Sequence, residues 1–397
     1  MEELTKKFLR KIATVPASPV RNFVGQVDWR DRMIGIKGAR GVGKTTLLLQ
    51  YLRQQLPLNQ QTLYVSLDDI YFADNTLVAL ADQFTKNGGT LLVLDEVHRY
   101  PRWSLELKNI YDDYSNLKVI FTGSSALYLH RSKADLSRRA VMYHMPGLSF
   151  REFLRFAYQL DLPLFSLSEL IDDHIEISME LVRQFKPLPA FNEYLTLGYY
   201  PYFLENKDTY HLKLSEIINL ILEIDLPYVV DINLNSIEKI RRLLYVLAES
   251  SPFKPNIQKL SEKVGVARNT IIVYLEYLQE TELLYLLRSA TKGISAMQKP
   301  EKVFLQNPNL FYAIAPGNVN VGSLRETFFY NQLQAKHIVQ YPKRGDFLID
   351  HRWTAEIGGK NKGKQQLADV KDGFVAAADL EIGYQRKIPL WLFGFLY

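Results

Sequence analysis

Apolar residues follow two different rhythms along this chain. Up to Met145 they gather into short unbroken runs, Met33–Ile36, Thr62–Leu67, Leu91–Leu94, Leu117–Phe121 and Ala140–Met145. Runs of that length, bounded by turn-forming residues, predict buried strands of an open parallel sheet, and Thr46–Leu52 behind the first run predicts a helix. From Phe150 to Asn235 the spacing turns helical, with Pro163, Pro187 and Pro189 as breaks. Ile237, Ile240, Leu243, Leu244 and Leu247 then mark one helix, and Pro252 to Pro255 ends it. Helices over 257–264 and 268–278 follow, joined by a Gly265-Val266 turn, and 282–287 reads as a strand. From Lys302 onward the order becomes strand, helix, several strands, helix and strand, with Ile388 to Phe395 as a buried terminal strand.

The first strand-to-helix junction carries the most specific chemistry. Gly38-Ala39-Arg40-Gly41-Val42-Gly43-Lys44-Thr45 satisfies G-x-x-x-x-G-K-[ST] between a strand and a helix. Such a loop turns backbone N–H groups inward at a β-phosphate, and the helix N-terminus adds partial positive charge. Gly38, Arg40, Gly41, Val42, Gly43, Lys44, Thr45 and Thr46 are therefore the candidate ATP-binding residues. Lys44 reaches the β/γ oxygens, and Thr45 holds Mg²⁺. The third run ends in Asp95-Glu96, two carboxylates with separate tasks: Asp95 for the Mg²⁺ shell and Glu96 to orient or deprotonate the attacking water.

Thr122-Gly123-Ser124-Ser125 closes the fourth strand, at the end where an open parallel sheet lines its ligand crevice. Ser124 is a candidate for contact with the γ-phosphate or the water, and also a natural helix cap. Arg138 and Arg139 precede the fifth strand and are candidate arginine fingers, a role that implies a homo-oligomer; ordinary surface charge is the alternative.

The segments Gly38–Thr46, Leu94–Pro101, Thr122–Ser125 and Pro146–Phe153 resemble a prokaryotic family of AAA-type P-loop ATPases with a C-terminal PD-(D/E)XK nuclease-like domain of uncharacterised function. The resemblance implies an α/β fold: a parallel-sheet ATPase core of the AAA/ASCE type, a helical lid, a winged helix-turn-helix and a restriction-endonuclease-like α/β domain. The corresponding boundaries are an N-terminal helical arm over 1–31, the core over 32–149, lid and linker over 150–235, winged helix over 236–300 and nuclease-like domain over 301–397. Loss of the γ-phosphate is expected to change the lid's contacts and thereby the C-terminal domains.

In the helix-turn-helix, Arg268, Asn269 and Tyr274 are expected on the exposed face, toward a DNA groove or phosphates. A winged helix used for packing or oligomerisation is the alternative. Within the last domain Glu326, Asp346 and Glu356 are spaced as a possible second Mg²⁺ site, with Lys360, also a candidate DNA contact, behind them and Gln365 or Gln366 to complete it. The nuclease pattern has one residue between acid and lysine, whereas Ile357-Gly358-Gly359 intervene here. In a regular strand that separation is roughly 13 Å at about 3.3 Å per residue. A Gly-Gly bulge would draw Lys360 inward; otherwise the site has lost its chemistry. Gly198-Tyr199-Tyr200-Pro201 reads as a turn with two aromatics, either groove-lining or packed in the core.

Composition narrows these readings without redirecting them. The 397 residues exceed one usual core, and no cysteine is present for disulfides, thiolate metal sites or thiol catalysis. No apolar run is long enough to span a bilayer, and the N-terminus lacks a signal-peptide pattern, so a cytoplasmic protein without membrane contact is expected. A net charge of +5 permits nucleic-acid binding without requiring it. Two functions follow as expectations: an ATP-hydrolysing enzyme associated with double-stranded or branched DNA, or an ATP-gated switch whose C-terminal domain binds a protein partner and cuts nothing.

Overall fold

All five apolar runs of the N-terminal part become strands: β1 (Met33–Gly38), β2 (Thr62–Ser66), β3 (Leu91–Asp95), β4 (Lys118–Ser124) and β5 (Val141–His144). They form one parallel sheet in the order β2-β3-β4-β1-β5. β3, β4 and β1 are central and buried, which is why they read as unbroken apolar runs; of the two edges, β2 is buried as well and β5 is more exposed. Gly38 is level with Ser124, and Ser66 with Asp95, so the carboxyl ends of these strands open at one rim of the sheet.

The computed structural model describes residues 1–55, 61–124, 136–230, 232–249, 254–289, 299–362, 367 and 370–397. The chain divides into two units, Met1–Gly147 and Leu148–Tyr397. In the first unit, helices α1 (Glu2–Thr14), α2 (Lys44–Gln55), α3 (Leu77–Lys86) and α4 (Trp103–Asp113) accompany the sheet. Leu4, Phe8 and Ile12 recur every fourth residue of α1 and are buried, each contributing about 1.5–3 kcal/mol on leaving water. Phe8 stacks on Tyr64 of β2 with ring centroids 6.2 Å apart. The N-terminal segment is thus packed on the sheet's β2 edge.

The second unit opens with helices α5 (Phe150–Tyr158), α6 (Leu167–Asp172), α7 (His174–Val182), α8 (Pro187–Leu197) and α9 (Tyr210–Leu220). Next come α10 (Leu234–Glu249), α11 (Ile257–Val264) and α12 (Arg268–Glu280), then β6 (Leu284–Leu287) paired antiparallel with β7 (Lys302–Leu305). Gly265 ends α11 in the left-handed region at φ 73°, the conformation the turn requires. Helices α13 (Asn309–Ile314) and α14 (Val321–Gln334) lead into a mixed sheet. Its strands, β8 (Val339–Gln340), β9 (Phe347–Ile349), β10 (Trp353–Gly359), β11 (Gly373–Ala378) and β12 (Lys387–Pro389), lie in the order β12-β11-β10-β9-β8.

Two expectations meet a different arrangement here, and one open alternative is decided for the core. The strand at Lys302 pairs with β6 of the preceding helical segment, not with the C-terminal sheet. The terminal run is a strand only over Lys387–Pro389 and continues as a buried 3₁₀ helix, Leu390–Phe395. Pro389 has no N–H to extend a ladder, and the turn seats Phe393 against Phe374 and Phe395 against Phe150. Tyr199 and Tyr200 are core residues, not groove lining. Gln306 donates to the Tyr199 hydroxyl at 2.7 Å and Asn307 to the Tyr200 hydroxyl at 3.0 Å. The helix expected to carry Gln365 or Gln366 lies outside the described residues.

Candidate functional site

The loop between β1 and α2 is shaped by positions that tolerate no larger residue. Gly41 and Gly43 hold φ of 88° and 96°, and a Cβ on Gly38 would stand 2.3 Å from the Met145 carbonyl oxygen. Arg21, which no sequence motif singles out, braces this loop from beneath. Its buried guanidinium donates to the carbonyls of Val42 at 2.8 Å and of Pro146 and Gly147 at 2.9 Å. Lys44 is buried, and its ammonium donates to the carbonyls of Gly38 and Ala39 at 2.8 and 2.9 Å. A buried cation held by neutral carbonyls of its own loop is well prepared to exchange them for phosphate oxygens.

Asp95 lies at the next rim position and is buried. One of its oxygens accepts from Thr45 Oγ1 and from the Tyr64 phenol, each at 2.6 Å, and the other accepts from Thr122 Oγ1. Burial and the Asp95 charge push the Tyr64 phenol far up, so it remains a donor. Tyr64 and Thr122 bond Asp95 although sequence reasoning names neither as a candidate. A tyrosine in the aliphatic strand Thr62–Leu67 and a hydroxyl beside Gly123 are the available signals, but only the register places them on Asp95.

Glu96 adopts the left-handed region at φ 54°. Its N–H donates to Thr122 Oγ1 at 3.2 Å. The imidazole of His98 stands beside it, with Nε2 3.3 Å from Glu96 Oε2. His98 Nδ1 accepts from the Ser124 N–H at 3.3 Å, which assigns the ring proton to Nε2, on the Glu96 side. Burial, aided by Arg99, Lys44 and Arg40, pushes His98 down to about 3 and keeps the ring neutral. Ser124 is thus brought to the rim by β4 with its backbone on His98. Arg139 makes two 2.8 Å bonds to Asp112, while Arg138 is exposed.

Thr45, Asp95 and Lys44 together suit a Mg²⁺–nucleotide: an oxygen pair for a hard cation and a buried ammonium for phosphate.

In the second unit Arg268 and Asn269 are exposed at the start of α12, as expected, and Lys259 and Lys263 of α11 are exposed nearby in sequence. Tyr274 is 6% exposed and belongs to the core. It completes the stripe Ile271, Tyr274, Leu275 and Leu278 at i, i+3, i+4 and i+7, so the expectation of an outward phenol is corrected.

Glu326, Asp346 and Glu356 occupy α14, the residue before β9 and the middle of β10. Lys302 Nζ bonds Glu326 at 2.8 Å and Asp346 at 3.0 Å. Lys362, not Lys360, reaches Glu356, at 3.0 Å. The stem of Lys362 lies over Gly358, where a Cβ would meet it at 2.7 Å; Lys360 is exposed, and its carbonyl accepts from Lys387. Among the described residues no group of three or more His, Asp or Glu is arranged to hold a metal ion, and no helix is long and apolar enough to cross a membrane.

Comparison with known proteins agrees with the first unit's geometry. Residues 30–154 match the model of a family described as an AAA domain, and residues 188–319 match a domain of unknown function. An uncharacterised protein of Methanocaldococcus jannaschii is 28% identical over 392 residues, an alignment covering 90% of this chain and 82% of that protein. Among solved structures, PCH-2 of C. elegans is similar at a TM-score of 0.26 and 16% identity, covering 46% of each chain. AMPPCP-bound DnaA from Aquifex aeolicus is similar at a TM-score of 0.25 and 13% identity, covering 70% of this chain and 88% of DnaA. The match over 30–154 includes Lys44, Thr45, Asp95 and Glu96.

Proposed function

We propose that the chain is a Mg²⁺-dependent ATPase that works in association with DNA. The observation that carries the hydrolytic reading is the convergence of Lys44, Thr45, Asp95 and Glu96 at one rim of the parallel sheet. The loop N–H groups and Lys44 bind and orient the phosphates. Thr45 and Asp95 would hold Mg²⁺, which when bound neutralises charge developing on the β- and γ-phosphate oxygens. Glu96 accepts a proton from the water that attacks the γ-phosphorus as the bond to the ADP oxygen breaks, a role worth about 10²–10⁴ in rate. Tyr64 and Thr122 fix the Asp95 carboxylate, and neutral His98 stands beside Glu96 without competing for its proton. Arg139 is engaged by Asp112, which makes Arg138 the better placed finger for a neighbouring copy in a homo-oligomer.

DNA association is supported by the helix-turn-helix with its following β-ribbon, read as a winged helix, and by the exposed Lys259, Lys263, Arg268 and Asn269. In this reading Arg268 and the lysines contact phosphates, so affinity falls steeply with salt. The mixed C-terminal sheet is read as nuclease-like in form and serves binding.

Steady-state ATP turnover with and without double-stranded DNA, against Lys44→Ala, tests both parts. Turnover that DNA raises and Lys44→Ala abolishes is the expected result. Turnover indifferent to DNA would replace the DNA reading with that of an ATP-gated switch for a protein partner. Turnover equal to the Lys44→Ala background would remove the hydrolytic reading itself.

A further inference from the structure

The acids of the C-terminal unit are arranged around a cation that the chain supplies. Lys302 projects from β7, the second strand of the β6–β7 ribbon, and its side chain is 6% exposed. Its ammonium takes Glu326 Oε2 at 2.8 Å and Asp346 Oδ1 at 3.0 Å, and the rings of Phe347 and Phe304 lie 5.7 and 6.0 Å from it. The second Asp346 oxygen accepts from the Ile357 N–H at 2.9 Å, and Lys362 takes an oxygen of Glu356 at 3.0 Å. Burial opposes the charge on Lys302, but Glu326 and Asp346 outweigh it and hold the ammonium above its ordinary pKa.

A Mg²⁺ ion in such a site needs several oxygens in near-octahedral geometry at about 2.0–2.1 Å. Here one oxygen each of Glu326 and Glu356 and both of Asp346 are already bonded to ammonium groups or a backbone N–H; the buried Glu356 Oε2 has no hydrogen-bond partner, a single oxygen where several are needed. An incoming ion would also meet the positive charge of Lys302 at hydrogen-bond distance from two of its own ligands. The residues therefore do not fit a metal.

We infer that Lys302 stands in place of a divalent cation, so that Glu326 and Asp346 form an internal clasp with it and, with Glu356 held by Lys362, not a metal-dependent cleavage site. The clasp joins three elements that are distant in sequence: the ribbon through Lys302, helix α14 through Glu326, and the start of β9 in the mixed sheet through Asp346. Lys362 serves Glu356 in the same way, its stem occupying the space that only a glycine at 358 leaves open. Removing one partner of a buried pair leaves an uncompensated charge, so the clasp is also a stability element.

The test uses the full chain with Asp95→Asn, which disables the nucleotide-site carboxylate, and follows free Mn²⁺ by its paramagnetic resonance signal. The Asp95→Asn protein is expected to leave submillimolar Mn²⁺ free and to give the same signal with Glu326→Gln added. Replacing Lys302 by Met in that background is expected to raise Mn²⁺ affinity at least tenfold, with the gain lost on adding Glu356→Gln. Submillimolar binding by the Asp95→Asn protein that Glu326→Gln removes would overturn the inference. A folded Lys302→Met variant with no gain would likewise overturn the role given to Lys302. If that variant does not fold, the comparison with Glu326→Gln decides alone.

Discussion

At the scale of single residues, Asp95 shows how much of the site is hidden from a linear reading. The sequence identifies Asp95 and Thr45 as metal-binding candidates because their motifs are local, and the structure hydrogen-bonds them at 2.6 Å. It does not identify Tyr64 or Thr122, which reach Asp95 from two other strands and have no fixed spacing to it. Lys11 adds a 3.3 Å bond from α1 to the Tyr64 hydroxyl. A hydrogen bond to a charged group is worth about 1.5–3 kcal/mol, and Tyr64→Phe removes it while keeping the ring against Phe8. The half-saturating Mg²⁺ concentration for turnover is expected to rise roughly tenfold, about 1.4 kcal/mol, with nucleotide affinity in EDTA unchanged. An unaltered Mg²⁺ requirement would show that the phenol does not position Asp95.

At the scale of elements, legibility depends on whether the deciding contact is local. The five strands can be read because each is a short apolar run, buried in all but β5, and the turn at Gly265 because its φ demands glycine. Tyr274 is misread because an amphipathic phenol can end a core stripe as well as face solvent; the neighbouring helices decide it. Strand spacing favours Lys360 over Lys362 because it does not reveal that Gly358 leaves room for a stem folded back from residue 362. The loop between β1 and α2 gives the sharpest element-level test. Gly38→Ala puts a Cβ 2.3 Å from the Met145 carbonyl oxygen, within a backbone contact that cannot swing aside. Nucleotide affinity is expected to drop at least tenfold while the circular dichroism spectrum stays that of the wild type. Wild-type affinity would mean that the strand ends can separate without disturbing the cradle.

At the scale of the whole molecule, the two units differ in what their sequence discloses. The first carries short motifs whose chemistry fixes their spacing, so its P-loop is visible in the linear sequence, and residues 30–154 match the AAA domain model. The second is organised by long-range contacts: the Tyr199–Gln306 and Tyr200–Asn307 bonds, the aromatic packing of the last residues, and the Lys302 clasp. None of these leaves a local pattern, and the same acids that read as a metal site in sequence are neutralised by lysines in space.

The hydrolytic reading rests on Glu96, and its most direct test is the rate of ATP hydrolysis by Glu96→Gln measured beside its affinity for ATP. Amide replacement keeps the size and left-handed backbone position of the side chain and removes its basicity. The account predicts ATP binding within about threefold of the wild type, with turnover lowered by about 10²–10⁴. Turnover at the wild-type rate would contradict it, because the base would then be some other group and the Asp95–Glu96 pair would have no hydrolytic role.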